Sequence, residues 1–135
     1  MVIALLLGGR AIAPAQEPFY KGKTIRMIVG TSAGGGFDTY TRTLARHFGK
    51  HVPGQPAVVV ENMSGAGHLI AANHLYKIAK PDGLTIGHFH GGWFLYQLFN
   101  RPGIEFDATQ FEFIGSPIRE SRACAFTSVL SRNSR

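Results

Sequence analysis

A chain of 135 residues, 44% hydrophobic and 16% charged, has globular composition, a prior of one domain and enough length to bury a core. Fourteen Lys and Arg against eight Asp and Glu give a formal net charge of +6, which favours anionic partners. The excess forms no Lys/Arg run, so no nucleic-acid partner is expected, and the single cysteine, Cys124, excludes an intrachain disulfide and a cysteine-based zinc site.

The chain opens on a short apolar run, Val2 to Leu7, followed by the small-x-small pattern Ala13-Pro14-Ala15. Residues 1–15 read as the remainder of a signal peptide cut before Gln16. They do not read as a membrane span, because Arg10 interrupts the run well short of the roughly 20 apolar residues a span needs. Export to the periplasm is the expectation. Ile25 to Val29 is a β-branched run ending at glycine, the mark of a buried parallel strand. The glycine loop Gly30-Thr31-Ser32-Ala33-Gly34-Gly35-Gly36-Phe37-Asp38 follows and opens a helix over Thr39 to Val52. In that helix Tyr40, Leu44, Ala45, Phe48 and Val52 recur at three and four, leaving Arg42, Arg46 and Lys50 to water. Asp38 is expected as its N-cap.

The arrangement then repeats. Ala57 to Val60 reads as a second strand of the same signature, Glu61 to Gly67 as a second glycine loop, and His68 to Lys80 as a second helix. Pro81-Asp82-Gly83 is a turn, Leu84 to Phe89 a third strand, His90-Gly91-Gly92 a third glycine loop and Trp93 to Phe99 a short apolar helix. Phe111 to Gly115 alternates like a strand, Ala123 to Phe126 resembles another, and Ser128 to Arg135 reads as a disordered tail. Residues 16–127 are thus the expected N-terminal α/β ligand-binding domain.

Strands alternating with helices imply right-handed βαβ units and a parallel, Rossmann-like sheet, with all three glycine loops on the edge where such sheets bind ligands. Loop amides at a helix N-terminus seat a phosphate or a carboxylate. The first loop lacks both the lysine of a phosphate-binding P-loop and the third glycine of a dinucleotide fingerprint, which moves the reading away from phosphate. A nucleotide-binding enzyme fragment of Rossmann type is the alternative. Asp38 would repel an anion unless its oxygens are occupied, while Ser32 and Ser64 offer hydroxyls. His88 and His90 would share one side of a strand without a third ligand, so no metal or other cofactor is expected. His68, at the loop mouth, could contact an anion but reads first as a solvated histidine, and Trp93 and Phe94 could line a pocket but read first as core. No paired carboxylates, activated serine or reactive cysteine support catalysis.

Three stretches in order, Tyr20 to Val29 into Gly34-Gly35-Gly36-Phe37-Asp38, then Val58-Val59-Val60-Glu61-Asn62 with Ser64-Gly65-Ala66-Gly67, then Ala79 to Thr85, resemble the substrate receptors of tripartite tricarboxylate transporters, the Bug receptors. The resemblance covers about residues 18 to 117. It implies the first domain of a type II periplasmic-binding-protein fold, in which two α/β domains close on a small di- or tricarboxylate or related organic acid and deliver it to membrane transporter subunits without catalysis. Carried over, the ligand-binding residues are Ser32, Ala33, Gly34, Gly35, Gly36, Phe37 and Asp38 from the first loop, with Ser64, Gly65, Ala66 and Gly67 from the second. The third loop, His88 to Gly92, departs from the hydroxyl-rich version that the resemblance implies. Family members are about twice as long, so a truncated receptor lacking its second domain, with weak affinity of its own, is expected. Tight binding of di- or tricarboxylates to this chain in titration calorimetry would refute that expectation.

Overall fold

The computed structural model describes residues 16–118. The expected leader, Cys124, the strand expected at Ala123 to Phe126 and the tail lie outside the described residues. Three strands, β1 (Thr24–Val29), β2 (Ala57–Asn62) and β3 (Thr85–His88), form a parallel sheet in the order β2-β1-β3. They alternate with α1 (Gly36–Phe48), α2 (Leu69–Lys77) and α3 (Trp93–Leu98), and short 3₁₀ turns cover Gly49–His51, Ala66–His68 and Ala108–Gln110. The fold is α/β, as the alternation of elements implies.

The central position of β1 explains its composition. Ile25, Met27, Ile28 and Val29 are all at most 4% exposed, and a fully buried aliphatic side chain of this kind stabilises by about 2 kcal/mol. β2 shares the β-branched composition but not the burial. It is an edge strand whose inward Val58 and Val60 alternate with an exposed Val59. Arg26 and Glu61 bridge the two strands in a bidentate ion pair at 2.6–2.8 Å. From β1 the chain reaches β2 on one side, and from β2 it crosses to β3 on the other. Right-handed crossovers in opposite directions put α1 and α2 on opposite faces.

Two expectations fail. Tyr40 and Leu44 do not pack inward: they are exposed, and the buried positions of α1 are Asp38 and Thr41, with Ala45 and Phe48 half-buried along the same stripe. The spacing 38, 41, 45, 48 is as helical as the apolar one. Its polar members are tolerated inside because they are hydrogen-bonded there, Thr41 donating to the Phe37 carbonyl at 2.7 Å. The segment Phe111 to Gly115 joins no ladder. Phe111 instead packs on the rings of Phe89, Phe94 and Phe106, beside a second core of Leu69, Ala72, Trp93 and Phe106. Phe113 and Ile114 are exposed.

Candidate functional site

β1, β2 and β3 end at Val29, Asn62 and His88, so the loops that follow gather at one edge of the sheet, where the strand order reverses. In doubly wound sheets that edge is the ligand crevice.

A carboxylate holds the first loop. Asp38 is the third residue of α1 and not its N-cap, which is Gly35 and carries no side-chain cap. Buried there, Asp38 accepts the Gly34 amide on Oδ2 at 2.8 Å, Arg42 Nε on both oxygens at 3.0 Å, and Asn62 Nδ2 on Oδ1 at 2.8 Å. These donors, the Arg42 hydrogen bond foremost, hold its pKa down at about 2. Asn62 also donates to the Thr31 carbonyl at 3.0 Å and accepts from Arg42 at 2.8 Å. One amide side chain therefore fastens loop, helix and strand together. The condition for an acidic residue beside an anion seat, that its oxygens be occupied, is met by the chain's own groups.

The glycines of this loop are not equivalent. Gly34 needs to be glycine because its φ is +86°. Gly36 has no such need: its φ is not positive and a Cβ there would meet nothing within 4 Å. Its amide and those of Phe37 and Asp38 open α1 without intrahelical acceptors, at the positive end of the helix dipole. The hydroxyls of Ser32 and Ser64 are exposed and make no hydrogen bond among the described residues.

The second loop is left-handed over four consecutive residues, Gly65, Ala66, Gly67 and His68, with φ of 138°, 44°, 59° and 80°. Ala66 and His68 each hold about 1 kcal/mol of strain in that region. The turn is fixed at both ends: Met63 N–H donates to the Val29 carbonyl at 2.8 Å, and Trp93 Nε1 donates to the Gly67 carbonyl at 2.6 Å. That last bond ties α3 to the glycine loop.

Histidines surround Phe37 on the β3 side. The ring of Phe37 lies between His68, at 4.6 Å, and His88, at 4.9 Å. His68 is not solvated as its sequence position suggests. Its Nδ1 is buried without a partner among the described residues, and burial, then the neighbouring His90 and His88, push its pKa below the ordinary histidine range. His88 Nδ1 lies 2.6 Å from Thr41 Oγ1. Because the Thr41 hydroxyl donates to Phe37, Nδ1 carries the proton of that contact. A hydroxyl paired with an imidazole resembles a nucleophile and its base, yet Thr41 is 1% exposed and its proton is committed to the backbone. His90 lies beyond the end of β3, its Nδ1 accepting the Gly92 amide at 2.9 Å, so the expected strand pair with His88 does not form. Among the described residues no three His, Cys, Asp or Glu could hold a metal ion.

The structure thus brings Ser32 to Asp38 and Ser64 to Gly67 to the same edge and adds Asn62, which the sequence reading passed over. Its signal was available: an Asp and Arg four apart on a helix need a further donor, and a polar residue ends the neighbouring strand.

No family model matches the sequence. Among curated proteins, the chain is 40% identical over 74 residues to the UPF0065 protein in the gbd 5'region of Cupriavidus necator, covering 55% of this chain and 22% of that one. It is 34% identical over 86 residues to a UPF0065 protein of Bordetella bronchiseptica, covering 64% and 25%. The solved structure of the periplasmic binding protein BugD matches at 34% identity and a TM-score of 0.44, over 50% of this chain and 22% of that one. The chain spans about a quarter or less of the length of the curated relatives it matches. Among the described residues no helix is long and apolar enough to cross a membrane. Over that shared part, the chain is a homologue of the UPF0065 proteins, the Bug family.

Proposed function

We propose that the chain is the N-terminal ligand-binding part of a periplasmic solute receptor, which seats a small organic acid, a di- or tricarboxylate, for delivery to membrane transporter subunits. Its seat is the pair of glycine loops, Ser32 to Asp38 and Ser64 to Gly67, and its role is binding without catalysis. One observation carries the reading. The first loop is locked to the end of β2 through Asn62, and the carboxylates beside the loops are already satisfied, Asp38 by Gly34, Arg42 and Asn62 and Glu61 by Arg26. What is left to face a ligand is uncharged amides at the start of α1 and the exposed hydroxyls of Ser32 and Ser64. Such donors suit a carboxylate. Gly36 supports the same reading, because a glycine with neither a positive φ nor a close neighbour costs helix stability without structural return.

The loops are exposed, so water screens the amide dipoles and affinity in about the millimolar range is expected. An ¹H–¹⁵N NMR titration with succinate, citrate and ATP tests the proposal. Amide shifts concentrated at Gly34 to Gly36 and Gly65 to Gly67 with the carboxylates support it. Shifts there with ATP alone, or none at those glycines, sink it.

A further inference from the structure

A cavity of about 660 Å³ adjoins the second glycine loop, lined by Gly67, His68, Leu69, Trp93, Tyr96 and Arg101. Its walls are of two kinds. The indole of Trp93 is 9% exposed and has its N–H committed to the Gly67 carbonyl at 2.6 Å, so what it can offer a ligand is a narrow apolar strip of ring. Tyr96 packs edge-on against it at 5.0 Å, and Leu69 completes an apolar surface. Against this stands one cation. Arg101 is exposed, its guanidinium lies over the Tyr96 ring at 4.6 Å, and it has no carboxylate partner among the described residues, whereas Arg26 and Arg42 both do. Stacking on an aromatic ring restrains the guanidinium while leaving its donor edge open, which is how an arginine is prepared for an anion. An apolar wall with one convergent cation is the usual make-up of a small-molecule site.

Resting on the receptor reading above, we propose that this recess selects the ligand: it takes an organic acid with an apolar, ring-like body, laid on Trp93 and Tyr96, with an anionic group on Arg101. Gly67 both lines the recess and belongs to the second glycine loop, so the acid's body extends from the seat proposed there. A compact, highly hydrated tricarboxylate would set charged groups against the indole and lose solvation there.

Trp93 is the chain's single tryptophan, so its emission reports directly on the recess. The expected result is a saturable change in emission on titration with benzoate, with benzamide, which has the ring but no charge, binding at least about tenfold more weakly. Arg101→Gln weakens benzoate by about tenfold or more, and Arg101→Lys recovers part of the loss, since charge returns without the planar fork. Arg101 is a surface residue, and far-UV circular dichroism checks that both variants keep the fold. No saturable change with benzoate in the folded chain, equal affinity for benzamide, or an unchanged constant in Arg101→Gln overturns the proposal. The glycine-loop amides keep the two readings apart. Succinate shifts there without a benzoate response at Trp93 remove the recess and leave the receptor standing. An Arg101-dependent benzoate response without any dicarboxylate shift at the loops supports the recess and removes the dicarboxylate seat.

Discussion

The loop after β1 sits between β2 and β3 at the sheet edge, and its two flanks are held in opposite ways. Towards β2 it is held by charge and hydrogen bonds: Asp38, Arg42 and Asn62 satisfy one another and pin Thr31 and Gly34. On the β3 side the holding groups are rings, with His68 and His88 packed on Phe37 and a buried His68 nitrogen unpartnered among the described residues. A network of ionised groups keeps its geometry as long as the carboxylate stays charged. Packing of neutral imidazoles lasts only while they stay neutral. The first arrangement suits a fixed anion seat, and the second suits a wall that responds to pH.

The same substitution against two histidines tests the ring-packed side most sharply. A Cβ at Gly30 would lie 2.6 Å from His68 Cβ and Nδ1, at the root of a side chain wedged against Phe37. Gly30→Ala is expected to cost about 3 kcal/mol in urea denaturation. A Cβ at Gly92 meets ring atoms of His90, and moving that ring would break the bond its Nδ1 accepts from the Gly92 amide, so Gly92→Ala is expected to cost about 1 kcal/mol. Equal losses would show that the His90 ring is held as rigidly as the root of the His68 side chain.

Acid separates the two sides next. With a folded pKa of about 2 against 3.8 for a free carboxyl, Asp38 stabilises the fold above the free value, and that contribution disappears as pH falls through about 2. Asp38→Asn is expected to lower Tm by ~5 °C at neutral pH, with the gap to the parent closing between pH 3.8 and about 2. A gap that persists unchanged to the bottom of that window would remove the ionised network as its cause. His68 acts earlier and more weakly. Its folded pKa is depressed, so the unfolded chain takes the proton first and stability falls once pH drops below the ordinary histidine value of 6.5. His68→Asn keeps a residue that tolerates the left-handed backbone but does not titrate. It is expected to flatten the loss of Tm between pH 7 and pH 5, and an unchanged slope would assign that loss to another group.

Where local chemistry decides the outcome, the sequence was readable. The β-branched run at Ile25 to Val29, ended by glycine, became the central strand, and the repetition of strand, glycine loop and helix became the parallel sheet. What escaped reading depends on three-dimensional partners. Asp38 and Thr41 look like surface positions until Gly34, Asn62 and Phe37 supply their bonds, and Tyr40 and Leu44 look like core until those polar residues take the inward face. The apolar alternation of Phe111 to Gly115 suggests a strand, but one aromatic ring found a better place among Phe89, Phe94 and Phe106. Arg101 carries no signal in sequence at all, because its meaning lies in Tyr96 beneath it and the cavity beside it.

The smallest effect separates folding from binding at the seat itself. Gly36 is the first residue of α1, exposed, without positive φ and with open space where a Cβ would stand. Alanine removes backbone freedom from the unfolded chain and strengthens the helix, so Gly36→Ala is expected to stabilise by about 0.5 kcal/mol in urea denaturation. On the proposed seat the added methyl stands in the space a carboxylate would use, and the succinate-induced amide shifts are expected to need several-fold more ligand. Gain in stability together with loss of affinity is the signature of a residue kept for function. If Gly36→Ala destabilises instead, the loop itself needs the glycine, and Gly36 no longer supports an anion seat at the start of α1.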